Sequence, residues 1–284
     1  NLLKGRYKRG FPVIKEIIQN ANDGRASHLD FGVIRGLASQ IEHPLLKCPA
    51  LFFLNNGSFT RTDQQAITWF AVDANAGDKS KIGKFGLGQK SVFHFCEAFF
   101  YIARSDDIPD GCGRLLNPWA PATGVDPKRP DWVSLSDSDR QSLERYMISQ
   151  GLLEKNNPRY FLLWIPLRQE APDKRYILSD RYDADSVQAD LPKDMDLQIA
   201  QLLPSLRHLI QVRYWVQQGN YTLDEKFQIC LQSLEHEPLA RCRYPKNHQE
   251  SEETSIPSPY DLRGKTSINP GGIQLQFGGQ EHLL

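Results

Sequence analysis

The chain has 284 residues, 40% of them hydrophobic and 24% charged, and its 34 Lys and Arg balance 34 Asp and Glu to a net charge of zero. That length can bury one large core or two modest ones, and the neutral balance removes any broad electrostatic case for nucleic acid. No stretch reads as a signal peptide and no apolar run is long enough to cross a bilayer, so no membrane association is expected.

Arg6, Lys8 and Arg9 form a small basic cluster that reads as a solvated tail. The lack of an initiator methionine and the early first helix are expected to mark a fragment or truncated start. That helix includes positions 15–24, Lys-Glu-Ile-Ile-Gln-Asn-Ala-Asn-Asp-Gly. At about 100° per residue, Ile14, Ile17, Ile18 and Ala21 fall on one side, while Glu16, Asn20 and Asp23 form a polar stripe on the other. Magnesium is usually held by one or two protein oxygens together with the phosphates of its nucleotide, and Asn20 can supply such an oxygen. Glu16, one turn earlier, suits a general base for a water aimed at the terminal phosphate. Taken alone, the stripe also fits an ordinary solvated helix face.

Residues 50–60, Ala-Leu-Phe-Phe-Leu-Asn-Asn-Gly-Ser-Phe-Thr, read as a buried strand that stops at Asn55, Asn56 and Gly57. An asparagine at such a strand end can accept from the amino group of adenine and donate to a ring nitrogen or a water, although simple turn chemistry also accounts for it. Thr62 and Gln65 are expected to cap a helix through Ala66, Ile67, Trp69 and Phe70. Asp73 to Lys81 has no apolar period and reads as a flap.

In Lys-Ile-Gly-Lys-Phe-Gly-Leu-Gly-Gln-Lys-Ser, at positions 81–91, Gly83, Gly86 and Gly88 precede a run that reads as a buried helix start at Ser91. Glycines there let backbone amides approach an anion at the positive end of a helix, though a tight loop between elements has the same signature. The spacing matches neither a dinucleotide fingerprint nor a P-loop. Lys79, Lys81, Lys84 and Lys90 surround this loop, and one of them is expected to meet phosphate. His94 reads as a packed core histidine.

Further along, 98–103 reads as a strand, 108–131 as an insertion or loop, and 137–149 as a helix. A strand follows at 161–167, a helix kinked at Pro204 over 196–208, and a strand alternating through Ile210, Val212, Tyr214 and Val216. Phe227 to Leu234 and Ile273 to Phe277 read as strands, and the polar stretch 245–259 as a linker or exposed loop. The five cysteines, Cys48, Cys96, Cys112, Cys230 and Cys242, are odd in number with no close metal-type pair, which fits reduced thiols in a cytoplasmic protein. This order predicts an α/β two-layer sandwich, with helices on one face of a mixed, largely antiparallel sheet. The expected division is a nucleotide-site domain over 1–220, with a loop-rich insertion at 105–158, and a C-terminal extension over 221–284.

In order and separation, these segments resemble the ATP site of the GHKL superfamily (Bergerat fold), which includes gyrase, the ninety-kilodalton heat-shock chaperone, histidine kinases and MutL. Glu16-x-x-x-Asn20-x-x-Asp23 resembles the first motif of that family and Gly83-x-x-Gly86-x-Gly88 its third. The nearest likeness is to sacsin-type, chaperone-like ATPase domains, through the Ile-Gln-Asn-Ala helix, the Asn-Asn turn followed by Phe-Thr, and the Gly-x-Phe-Gly-x-Gly loop running into Ser-Val. It is strong from Phe11 to about Ile102 and thinner through 161–168 and 202–210.

The resemblance implies a slow, magnesium-dependent ATPase that acts as a conformational switch within a larger protein, with 73–81 as the ATP lid. Glu16 would be the general base and Asn20 the magnesium ligand. Asp23, Asn55, Asn56, Gly57, Gly83, Lys84, Phe85, Gly86, Leu87, Gly88 and Ser91 would join Asn20 around ATP or ADP. Expected partners are an unidentified protein client and, with nucleotide bound, a second copy of the chain. Two departures bear on the base. Asn55 stands where most of the superfamily has aspartate, and a Gly-Thr pair common in relatives is missing near Tyr160-Phe161. A histidine kinase would share the fold but lack the glutamate at Glu16. A non-hydrolysing scaffold held together by nucleotide, of chaperone or defence-system type, is the alternative.

Overall fold

The fold comes from a computed structural model that describes residues 10–37, 41–68, 88–120, 125–156, 159–169, 180–234, 237–246, 250–255, 266–269, 272–277 and 280–283. For Ala66, Thr68, residues 88–90 and residues beyond 231 the description is of the backbone. The expected flap at 73–81, together with Trp69, Phe70, Gly83, Lys84, Phe85, Gly86 and Leu87, lies outside the described residues.

Helix α1 (Phe11–Asp23) carries proline in its first turn, where the missing N–H costs nothing, and buries Val13, Ile14, Ile17, Ile18, Ala21 and Asn22. The apolar members follow the helical period, and each large one contributes about 2 kcal/mol on leaving water. Strand β1 (His28–Ile34), helix α2 (Pro44–Lys47), strand β2 (Ala50–Asn55) and helix α3 (Arg61–Thr68) follow. A 3-10 helix (Gly88–His94) leads to strands β3 (Phe99–Ser105) and β4 (Ile108–Leu116), helix α4 (Asp137–Ser149) and strand β5 (Tyr160–Pro166). Helices α5 (Ala184–Asp190) and α6 (Met195–Leu202) then precede strands β6 (Gln211–Gln217), β7 (Leu223–Leu234), β8 (Glu237–Lys246) and β9 (Glu250–Ser255).

These nine strands form one sheet in the order β4-β3-β5-β2-β1-β6-β7-β8-β9. Every neighbouring pair is antiparallel except β1 with β6, so the sheet is mixed and mostly antiparallel, and the chain is an α/β sandwich as expected. Strands β10 (Thr266–Asn269), β11 (Gly272–Phe277) and β12 (Gln280–Leu283) form a separate antiparallel sheet.

Alternation along the strands divides the core in two. Leu51 and Phe53 of β2, Leu163 and Ile165 of β5 and Val212, Tyr214 and Val216 of β6 pack under α1, α5 and α6. Phe52, Leu54, Leu162 and Trp164 face the other way, where Leu45 and Leu46 of α2 and Leu143 and Met147 of α4 cover part of the far face. Helix α4 spans the residues expected from sequence, and the kink at Pro204 takes the form of a short 3-10 turn, Leu203–Ser205.

Three local expectations are corrected. Helix α3 is capped by Thr60, not Thr62: Asp63 N donates to Thr60 Oγ1 at 3.1 Å, and Asp63 Oδ2 accepts from Thr60 N at 2.9 Å. The run 108–131 holds β4, an edge strand paired with β3, where Pro109 and the positive φ of 74° at Gly111 are tolerated. The polar stretch 245–259 holds β9, paired with β8.

Strand β1 was not anticipated, because Asp30 and Gly32 break its apolar run. Asp30 accepts from Arg213 Nε at 2.6 Å, Arg213 Nη2 at 2.9 Å and Trp215 Nε1 at 2.8 Å. Gly32 allows close packing, since a Cβ there would sit 2.3 Å from the Trp215 carbonyl oxygen.

Candidate functional site

The carboxyl end of α1 and the end of β2 are tied together at a tight junction. Ser58 N donates to the Gly24 carbonyl at 2.7 Å, and Gly57 N donates to Asn55 Oδ1 at 2.9 Å. A Cβ on Gly57 would lie 2.8 Å from the Gly24 oxygen and 2.9 Å from Asn55 Oδ1, so the turn admits only glycine without shifting. Next to Gly24, Arg25 takes a left-handed φ of 59°. Asn22 points away from the polar stripe, and its Oδ1 accepts from the backbone N–H groups of Arg207, His208 and Leu209 at 3.0, 2.9 and 3.4 Å. The back of α1 thereby fixes the turn that leads into β6.

At this junction a cavity of about 390 Å³ opens. Asn20, Asp23, Gly24 and Arg25 border it from α1 and its end, and Asn55, Ser58, Phe59, Thr60 and Asp63 from β2 to α3. Ile17, Ala21, Phe161 and Leu163 form an apolar side. Behind that side, Phe59, Phe161 and Tyr101 cluster, with ring centroids 5.0 Å apart for Phe59–Phe161 and 5.9 Å for Tyr101–Phe161. Burial pushes the Tyr101 phenol up to about 12, so no anion forms beneath the cavity at neutral pH. Among the described residues no group of three His, Cys, Asp or Glu is gathered to hold a metal.

Of the residues expected from sequence, Asn20, Asp23 and Asn55 meet at this cavity. Glu16 is half-buried on α1 and is not among the lining residues. Asn56 is turned elsewhere: its Oδ1 accepts from Ser27 N at 2.9 Å and His28 N at 3.0 Å, and its Nδ2 donates to Ser27 Oγ at 2.8 Å, which anchors the start of β1. Gly57 is buried behind Asn55, and Ser91 is buried in the 3-10 helix that Gly88 begins. That helix packs against α1, so the end of the glycine run lies beside the polar helix.

Arg25, Phe59, Thr60, Asp63 and Phe161 line the cavity without having been singled out as ligand contacts. Phe59 and Thr60 left a trace in the sequence as the Phe-Thr pair after the Asn-Asn turn, and Phe161 as the position near which the Gly-Thr pair is missing.

The segment after the 3-10 helix is held by a buried arginine. Arg168 uses every donor of its guanidinium: Nε to Glu97 Oε1 at 2.6 Å, Nη1 to the carbonyls of His94 and Asp180 at 3.2 and 2.9 Å, and Nη2 to those of Phe93 and Cys96 at 2.7 and 3.0 Å. Trp119 Nε1 donates to the other Glu97 oxygen at 3.0 Å. The glycine run is therefore followed by a rigid anchor fixed to the end of β5.

Among the described residues no helix is long and apolar enough to cross a membrane, and Cys48, Cys96, Cys112 and Cys230 are free thiols. Residues 1–228 match the family model described as Sacsin domain. The chain is similar to human sacsin, with 33% identity over 111 residues that make up 37% of this chain and 2% of sacsin. The matched stretch is thus a small part of that relative's length.

Proposed function

The chain belongs to the sacsin domain family, and from that premise we propose that its cavity binds ATP with magnesium as a GHKL-type switch within a larger protein. The observation that carries this reading is the meeting of Asn20 and Asp23 from α1 with Asn55 from β2 around one cavity. Its volume, about 390 Å³, falls within the range of small-molecule sites, which runs from roughly 300 to 1,000 Å³. An apolar wall of Ile17, Ala21, Phe161 and Leu163 suits a planar base, and the amide and carboxylate edge suits a metal-bound phosphate.

The donor set fits magnesium, a hard cation that keeps most of its waters and takes one or two protein oxygens, here from Asn20 with Asp23 nearby. When bound, the ion would neutralise phosphate charge and orient the terminal phosphoryl group. Gly83 to Gly88 would cradle the phosphates, Ser91 would close that side, and 73–81 would act as the lid. Glu16 would hold the proton taken from an attacking water. Slow hydrolysis would then reset contacts with a protein client or a second copy of the chain.

A second reading, nucleotide binding without turnover, is favoured by the position of Glu16 outside the cavity lining. Calorimetric titration of ATP into the wild type and Asn20→Ala, with and without magnesium, tests the common core of both. Magnesium should strengthen wild-type binding and leave the variant unchanged. Equal magnesium effects in the two proteins would remove Asn20 as the ligand, and no binding at all would end the nucleotide reading.

A further inference from the structure

We propose that the cavity offers a hydrogen-bond donor to the purine ring, so that 6-oxo purine triphosphates are accepted at least as well as ATP. This rests on the nucleotide reading above and concerns the base. Asn55 ends β2 at the cavity, and its Oδ1 accepts from Gly57 N–H at 2.9 Å. A backbone N–H can only donate, so the amide orientation is fixed, with oxygen toward Gly57 and Nδ2 on the other branch. The turn cannot easily release that N–H, because Gly57 is wedged against the Gly24 carbonyl and Ser58 N is bonded to the same oxygen at 2.7 Å.

Among the described residues, Asn55 Nδ2 donates to no protein acceptor. Its cross-strand neighbours are Leu29 of β1 and Phe161 of β5, and neither side chain offers an acceptor. The exocyclic amine of adenine would therefore face the N–H groups of Nδ2, donor against donor, with one remaining Oδ1 lone pair as its outlet at this residue. A carbonyl at the same ring position accepts from Nδ2. A 6-oxo purine also carries an N1–H, which adenine lacks, and the Asp63 carboxylate on the cavity wall is an acceptor of the kind that group needs. Asp63 keeps acceptor capacity after its Oδ2 has taken the bonds from Thr60.

Calorimetric titration of the full chain with ATP and with inosine triphosphate, each with magnesium, tests the assignment, because the two ligands differ only at this edge of the base. The wild type should bind inosine triphosphate as tightly as ATP or more tightly. Asn55→Asp keeps an acceptor for Gly57 N–H but turns the outer branch into an oxygen, and should move the affinity ratio toward ATP by about tenfold or more. Wild-type preference for ATP by tenfold, or a ratio unmoved in the variant, overturns the donor assignment while leaving nucleotide binding intact. Binding of neither triphosphate overturns the nucleotide reading and this inference with it.

Discussion

Arg168 Nε lies 2.6 Å from Glu97 Oε1, with the arginine side chain 2% and the glutamate side chain 7% exposed. Removing one partner of such a pair leaves a charge without water or counter-charge, and that costs about 3–5 kcal/mol. Arg168→Met should lower unfolding free energy by that order in a urea titration. Arg168→Lys should rescue little, because a point charge cannot span the carbonyls of Phe93, His94, Cys96 and Asp180. A double variant with Glu97→Met should recover only the part due to the stranded carboxylate, since the four carbonyls and Trp119 Nε1 still lose their partners.

Arg25 holds a φ of 59°, where an L side chain crowds its own backbone at a cost of about 1–2 kcal/mol. Glycine adopts that conformation freely but adds disorder to the unfolded chain, which takes back part of the gain. Arg25→Gly should raise the ligand-free thermal midpoint, corresponding to about 0.5–1 kcal/mol. A lowered midpoint would mean that the guanidinium makes contacts worth more than the strain.

His43 couples stability to mild acid. Burial lowers its pKa, outweighing the hydrogen bond with the Val133 carbonyl and the nearby charges of Asp139 and Asp131. Nδ1 accepts from Leu45 N at 3.2 Å as the cap of α2, while Nε2 lies 2.9 Å from the Val133 oxygen, so the neutral ring with the proton on Nε2 satisfies both. A folded pKa below the unfolded value of 6.5 gives stability that is complete above that value and is lost as pH falls through the folded pKa. Urea unfolding at about pH 7.5 and pH 5 should therefore show a drop in the wild type. His43→Asn, which caps without titrating in this range, should shrink that drop. An unchanged drop would assign the acid sensitivity to other groups.

How much of the site could be read from sequence depended on whether its parts were periodic. The polar and apolar faces of α1 follow a helical repeat, so Asn20 and Asp23 were placed at a pocket from sequence alone. The strand ending at Asn55 was legible from another signal, a short unbroken apolar run that stops at turn residues. Strand β1 was not, because its Asp30 and Gly32 make sense only beside Arg213 and Trp215, more than 180 residues away in sequence. Arg25, Thr60 and Asp63 reach the cavity through a turn and a helix cap, where direction depends on φ and hydrogen bonding and not on spacing. Asn56 shows the converse: its residue type suited a ligand, but the backbone amides of Ser27 and His28 claim its oxygen.

Glu16 separates the hydrolytic switch from the binding scaffold. It sits one helical turn before Asn20 and outside the cavity lining, and in the hydrolytic reading its carboxylate receives a proton from water. Glu16→Gln keeps the size and helix propensity but cannot serve as a base. Phosphate release should then fall by about 100-fold or more, the scale of a lost general base, while ATP affinity changes less than about threefold. Equal phosphate release by wild type and variant would exclude Glu16 as the base. Absence of turnover in both, with nucleotide still bound, would favour the scaffold, in which ATP contributes folding free energy in proportion to the logarithm of its concentration over Kd.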